Sequence, residues 1–516
     1  MNPKLRRVLL LTMVAIAAGG LWLRGTTHGW SLFRGAAPGA AVSTVNTAVP
    51  DILRLGSLKL EPCSVGKHAG VPTLRAYCTG LSVPEDRSMP GGRQIQLKIA
   101  VLRAAVAQAN ADAVVFLDGG PGGAATEDFP AIAPAFDALR KAHLVVLVDQ
   151  RGTGGSNALS CAGAATVRGN TSSALTLQRT RDCLAQVLPH AAPQFYTTTD
   201  AVEDLEAVRR ALGSPTFDLF GVSYGTRVAQ QYARRHPNAV RAIVLDSAVP
   251  NDLALGSEHA RNLEATLQEL FARCRAERAC VERYVNPNQT LRRVQAHLKA
   301  KPETLELRDP YSFELRRKTI TADALAGLVR LYAYSPYTAA LLPYVLKEAD
   351  AGHFAPLLGQ AQLAIGDVEE HLNGGMGLSV SCAEDAGQLH ANPAAVDTVM
   401  GNALVAELVT ACSVWPHGQR PQDFGEPLQG RVPVLVLAGE HDPVTPPRYG
   451  RAIVRTLPRG RLIEIVGQGH AVLGVGCVPR LMNDFIRTLD AKGLDTHCLD
   501  VLAQTPVFVD ANGPGP

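Results

Sequence analysis

The chain has 516 residues, 46% of them hydrophobic and 19% charged, with 50 basic and 47 acidic side chains and a formal net charge of +3. That is the balance of a globular chain and not of a disordered one, and it supplies neither a basic stripe for nucleic acid nor an acidic tail. The length exceeds one ordinary core, so a large domain with an insertion or a second domain is expected.

The first segment, MNPKLRRVLLLTMVAIAAGGLWLRG, starts positive at Lys4, Arg6 and Arg7 and continues with an apolar run from Val8 to Leu23 that stops at Arg24. The run is shorter than the ~20 residues of a spanning helix. Residues 1–24 therefore read as a secretory signal, with Ala15-Ile16-Ala17 as a small-residue cleavage site. That site leaves a very short apolar stretch, which keeps an uncleaved membrane anchor as the alternative. Arg6-Arg7 matches a twin-arginine signal only in part and reads as the ordinary positive start. Residues 25–45, rich in Gly, Ala, Ser and Thr, read as a linker.

Export gives meaning to the cysteines, at 63, 78, 161, 183, 274, 280, 382, 412, 477 and 498. An even number in an exported chain points to disulfides. Taken in order, Cys63, Cys78, Cys161, Cys183, Cys274, Cys280, Cys382, Cys412, Cys477 and Cys498 make five local pairs, which close short loops at the least entropic cost. Order alone does not prove that connectivity. Cys274 and Cys280 test it hardest, because on one unbroken helix they would point to different sides about 9 Å apart along the axis. A bridge there requires the helix to end between them. No CxxC pair and no HExxH occurs, which argues against a metal site.

From about residue 95 the sequence alternates between strand and helix patterns. RQIQLKIAVLRA reads as a strand, and AVVFLDGG (113–120) and LVVLVDQRG (144–152) as buried parallel strands ending in glycine-rich turns. In TDAVEDLEAVRRALG, residues Ala201, Leu205, Val208 and Leu212 share one helical face, with Asp200 as the expected cap and Gly213 as the stop. FDLFGVS is the next strand, TRVAQQYARRHP a helix and RAIVLDSAV a strand. The rhythm resumes late with VPVLVLAGE, PPRYGRAIVRTLP and RLIEIVGQG. This predicts an α/β fold with a mostly parallel sheet and helices on both faces, built from residues 46–250 and 428–512. Between them, residues 251–427 lose the strand rhythm and read as a helical cap insertion.

Gly221-Val222-Ser223-Tyr224-Gly225 lies between a predicted strand and a predicted helix and fits the nucleophile elbow G-x-S-x-G. A bare tight turn would need the serine only structurally; the strand–turn–helix setting favours a nucleophile at the carboxyl ends of the strands. Serine needs a base, and in this arrangement the acid and then the histidine follow it in the chain. Asp442, in AGEHDPVTPP, and His470, in GQGHAVLG, each follow a late strand, so Asp442 would orient His470 and His470 would act as general base and acid. His441 abuts Asp442 too closely in sequence to partner it, and Glu440 still belongs to the strand. Asp118-Gly119-Gly120-Pro121-Gly122-Gly123 follows another strand; Pro121 has no N–H, so Gly120 is the expected oxyanion donor, with the N–H of Tyr224. Gly152 to Asn157 lacks the third glycine of a dinucleotide motif.

GGPG at 119–122, DQRGTGGS at 149–156, GVSYG at 221–225, GEHDPVTPP at 439–447 and GQGH at 467–470 together resemble the α/β-hydrolase fold and, within it, the proline iminopeptidase and tripeptidyl aminopeptidase group. Proline iminopeptidases carry His before GGPG where this chain has Asp118, which places it nearer the secreted, disulfide-bearing branch. The resemblance implies a serine exopeptidase without a cofactor, acting on peptides with a free N-terminus and closed over by the cap. An esterase sharing the same triad is the rival enzyme, and a non-catalytic binding relative the rival of another class. An aminopeptidase must hold an ammonium group, and Glu384 and Asp385, in SVSCAED, are the acids expected to do so.

Overall fold

The computed structural model describes residues 52–514, apart from residues 69, 107–111, 162–171 and 310–312. The expected leader (1–24) and linker (25–45) lie outside the described residues. Among the described residues no helix is long and apolar enough to cross a membrane.

A ten-stranded sheet runs in the order β1-β2-β3-β4-β6-β5-β7-β8-β11-β12. Its leading half is antiparallel: β1 (Leu53–Leu55), β2 (Leu58–Val65), β3 (Leu74–Pro84) and β4 (Gln94–Leu102), which pairs antiparallel with β6 (Val145–Val148). From β6 onward the sheet is parallel, through β5 (Ala113–Leu117), β7 (Phe217–Val222), β8 (Val240–Asp246), β11 (Val434–Gly439) and β12 (Gly460–Ile465). The strands β5, β6 and β11 are buried at every residue, as a sheet covered on both faces requires. Two apolar clusters lie on its two sides, one around Val115, Leu219 and Tyr232 and the other around Phe116, Phe129, Phe136 and Phe220.

The helix Thr198–Leu212 ends at Gly213 with φ 67°, as expected, but its N-cap is Thr197, whose hydroxyl accepts the Asp200 N–H at 3.2 Å. Asp200 sits inside the first turn instead of capping it. A cap needs extended backbone at the residue before the helix, which Thr197 has with φ −108° and ψ 167°.

The residues between β8 and β11 are mostly helical, yet they include an antiparallel pair, β9 (Glu303–Arg308) with β10 (Leu315–Ile320). This hairpin departs from the purely helical insertion expected. Helices 259–276, 287–300, 322–332 and 342–350 pack on one another around Leu263, Leu291, Leu325 and Leu346, a cluster separate from those of the sheet. The later part behaves differently: Met376, Val380, Cys382, Cys412 and Trp415 belong to the core of the sheet.

The ten cysteines pair in sequence order, Cys63–Cys78, Cys161–Cys183, Cys274–Cys280, Cys382–Cys412 and Cys477–Cys498. The helix carrying Cys274 stops at Ala276 and a new one starts at Arg278, which brings the Cα atoms of Cys274 and Cys280 to 5.2 Å. Several disulfides are the mark of a chain that matures in an oxidising, extracytoplasmic compartment.

Candidate active site

Ser223 stands between the end of β7 and the helix Tyr224–Arg235, with φ 53° and ψ −123°, a conformation a serine adopts only under constraint. The constraint comes from both sides. The Ser223 N–H donates to Asp246 O at 2.9 Å, and a Cβ on Gly225 would collide with the Leu117 carbonyl. Both small neighbours of the elbow are required: Gly225 by the end of β5, and Gly221 by the backbone of Gly225 and Thr226, where the chain turns back into the helix.

The loops after β11 and β12 bring Asp442 and His470 together. His470 Nδ1 lies 2.8 Å from Asp442 Oδ2. Thr445 Oγ1 donates to the same oxygen at 2.7 Å, and the N–H groups of Val444 and Thr445 donate to Oδ1, each at 2.8 Å. Burial alone would raise the Asp442 pKa, but the His470 charge and these hydrogen bonds hold it at about 2. Burial likewise works against a charged His470, and the Asp442 carboxylate outweighs it, so the His470 pKa is raised. Ser223 and His470 line one cavity of about 910 Å³. No hydrogen bond joins them among the described residues, as is common before substrate tightens such a site.

The rivals of this pair are engaged elsewhere. His441 Nδ1 lies 3.1 Å from Glu269 and its Nε2 3.1 Å from Gln504. Glu440 accepts from Gly467 N and Gln504 Nε2, both at 2.8 Å.

Gly119 packs against Ser223, and its N–H is taken by Asp118 Oδ1 at 2.7 Å. Gly120 follows with φ 114°, a value that needs glycine. The N–H groups of Gly120 and Tyr224 are engaged by no other described group. Both are thus available at the elbow for a developing oxyanion.

Glu384 and Asp385 are not in the cavity lining. They sit in a single π-helical turn, Ser381–Asp385, and both pair with Arg227, at 3.5 and 3.1 Å. Glu384 also accepts from Thr198 N at 2.6 Å and Thr198 Oγ1 at 2.9 Å; that hydroxyl lies 2.7 Å from Tyr224 Oη. Burial pushes Glu384 up to about 7. The physical reason for the departure from expectation is the buried guanidinium, which draws both carboxylates inward behind the elbow. The carboxyls that do line the cavity are Asp118, Asp128 and Glu407. Burial, then the neighbouring Asp128, keeps Asp118 well above the usual carboxylate range.

Two positioning residues carried no sequence signal of their own. Asp246, at the end of β8, holds the elbow through its carbonyl and the histidine loop through its carboxylate, which accepts from Val472 N and Leu473 N at 3.0 and 2.8 Å. Burial pushes its pKa to about 6. Tyr334 reaches in from the inserted segment: its carbonyl accepts the His470 N–H at 2.7 Å, and its ring meets the imidazole edge-on at 5.0 Å. The DQRGTGGS stretch, by contrast, is a brace. Asp149 accepts from Thr126 N and Gly155 N at 2.8 and 2.9 Å, and the buried Arg151 grips Asp204 through Nε and Nη2 at 2.6 and 2.7 Å.

A parallel sheet carrying a strained serine elbow, with an aspartate–histidine pair on the same rim, defines the α/β-hydrolase fold, and this chain has it. Residues 112–333 match the family described as alpha/beta hydrolase fold, and residues 397–498 match the family described as TAP-like protein. The chain is similar to the serine protease Hip1 of Mycobacterium tuberculosis, with 25% identity over 56% of this chain and 59% of that one. It is similar to the tripeptidyl aminopeptidase of Streptomyces lividans, with 30% identity over 46% of this chain and 45% of that one. The chain thus spans about half the length of the curated relatives it matches. The crystal structure of the proline iminopeptidase of Mycobacterium smegmatis aligns with 80% of this chain and 99% of its own, at 18% identity and a TM-score of 0.39.

Proposed function

We propose that the chain is an exported serine peptidase that releases short pieces from the free N-termini of peptides through an acyl-enzyme. The observation that carries this reading is the opening of Ser223 and His470, with Asp442 hydrogen-bonded behind the imidazole, onto one large cavity. In the proposed reaction Ser223 Oγ attacks the scissile carbonyl while His470 Nε2 takes its proton. The N–H groups of Gly120 and Tyr224 receive the oxyanion. His470 then gives the proton to the leaving amine, and a water molecule repeats the sequence on the acyl-enzyme, so each step uses only these groups and water. The earlier part of the inserted segment, whose helices pack around Leu263, Leu325 and Leu346, serves as the cap, while its later part around Met376, Val380 and Trp415 belongs with the hydrolase core.

The relatives named as a serine protease and a tripeptidyl aminopeptidase support a peptidase over an esterase. With Glu384 and Asp385 held by Arg227, the ammonium group is assigned to the wall bearing Asp118 and Asp128. A cation there would offset the burial and the neighbouring Asp128 charge that together raise the Asp118 pKa. The five disulfides support maturation in the periplasm or outside the cell.

The deciding assay is a panel of aminoacyl-, dipeptidyl- and tripeptidyl-anilides, each N-terminally free and N-blocked, with small esters as controls. Cleavage of the free series and not of the blocked series is expected. Ester hydrolysis without anilide cleavage would establish the esterase reading instead, and no turnover of any member would leave a binding protein.

A further inference from the structure

Arg330 stands on the last turn of the helix Ala322–Tyr332 and lines the same cavity as Ser223 and His470. Its guanidinium lies 5.9 Å from the Tyr334 ring centroid, and Nη2 donates to Tyr334 Oη at 3.2 Å and to His259 Nδ1 at 3.5 Å. Neither partner is an anion. Burial, and then the Arg330 charge, pushes the His259 pKa down to about 3, so that imidazole is neutral. Among the described residues no carboxylate pairs with Arg330, its Nε is buried without a hydrogen-bond partner, and its Nη1 is engaged by none of them.

This sets Arg330 apart from the buried Arg151 and Arg227 and leaves Arg179, which also lines the cavity and has a buried Nη1 without a hydrogen-bond partner, as its rival there. Arg151 is neutralised by Asp204, and Arg227 by Glu384 and Asp385. A partly desolvated cation without a counter-charge is costly to keep, so its partner is best sought in what enters the cavity. Its position says which part of a substrate that is. Tyr334 bridges Arg330 to His470, with its ring against both and its carbonyl on the His470 N–H. Arg330 therefore lies on the histidine side of the cavity. His470 is the group that protonates the leaving amine, so the leaving group must occupy that side.

We propose that Arg330 binds a carboxylate on the leaving-group side of the scissile bond, which makes short peptides ending in a free carboxylate soon after the cut the preferred substrates. The proposal rests on the peptidase reading above. A guanidinium suits this task because it is a permanent cation with directed N–H donors, and Nη1, which no described group engages, can give a charge-assisted hydrogen bond to one carboxylate oxygen.

The test uses the purified full chain and a ladder of N-terminally free peptides, each as the C-terminal acid and as the C-terminal amide, with a peptidyl-anilide and a small ester in the same assay. The wild type should favour acid over amide by about tenfold or more in kcat/KM, chiefly through KM, as a charge-assisted hydrogen bond implies. In Arg330→Gln the acid-to-amide ratio should fall to about one, while Arg330→Lys should restore part of it. Equal rates on acid and amide in the wild type would overturn the inference, as would an Arg330→Gln variant that slows acid and amide in equal proportion. So would loss of the preference in Arg179→Gln and not in Arg330→Gln, since Arg179 lines the cavity without touching Tyr334. Ester turnover without cleavage of any peptide or anilide would instead overturn the peptidase reading, an outcome the same assay separates from the others.

Discussion

The Asp442 carboxylate receives hydrogen bonds from Val444 N, Thr445 N, Thr445 Oγ1 and His470 Nδ1, and it titrates at about 2. Its pKa in the unfolded chain is about 3.9, so the stability this residue adds is present above about pH 4 and lost as the pH falls toward 2. His470 is shifted the other way, upward, by Asp442 against burial. A general base must be neutral, so kcat/KM should fall as the pH drops through a value above the ordinary 6.5 or so. Asp442→Asn should move that acid limb to lower pH and cut kcat by ~10,000-fold, as loss of the triad acid does elsewhere; an unmoved limb would mean that another group is titrating. Ser223→Ala should abolish labelling by a fluorophosphonate probe, and persistent labelling of that variant would unseat the nucleophile. At this scale the proposed triad was legible, because an elbow serine, an acid and a histidine each follow a strand in a recognisable turn. The acids proposed to bind the ammonium group were not legible, since adjacent acids in a sequence look alike whether they face a ligand or a buried arginine.

The helix Tyr224–Arg235 and the turn Ser381–Asp385 are joined by Arg227, which is fully buried with both acids. Removing one side of a buried charge set leaves the other uncompensated, at a cost of roughly 3–5 kcal/mol. Arg227→Met should therefore lower the urea midpoint strongly, and adding Glu384→Gln and Asp385→Asn should recover much of the loss. No recovery in the combined variant would show that packing, and not charge, holds this joint. A hint lay in GVSYGTR, where one arginine enters the first turns of a helix buried on nearly every side. The β9–β10 hairpin left a fainter trace. Its strand ETLELR does alternate, but each strand has only six residues and the pair joins no other sheet, so the pattern was lost among helical neighbours.

Across the whole molecule the disulfides divide into unequal contributors. In the chain-entropy view the loop of 30 closed by Cys382–Cys412 is worth ~3.6 kcal/mol and the loop of 6 closed by Cys274–Cys280 ~2.2 kcal/mol. Replacing Cys382 and Cys412 together with Ala should lower the denaturation midpoint more than replacing Cys274 and Cys280, and the reverse order would point to strain or residual structure in the unfolded chain. The β-α alternation and the interrupted core could be read ahead of the structure, because covered parallel strands are continuous apolar runs. The antiparallel leading edge was only half visible, since the short β1 and the half-exposed β2 carry little apolar pattern. Tyr334 gives the molecule a further property. Because the inserted segment hands its own carbonyl to the histidine's N–H, the proposed selectivity and the proposed chemistry would share a single part. A chimera that borrowed this segment from a relative would exchange a piece of the base's mounting along with it, so the two traits must be inherited, or engineered, together.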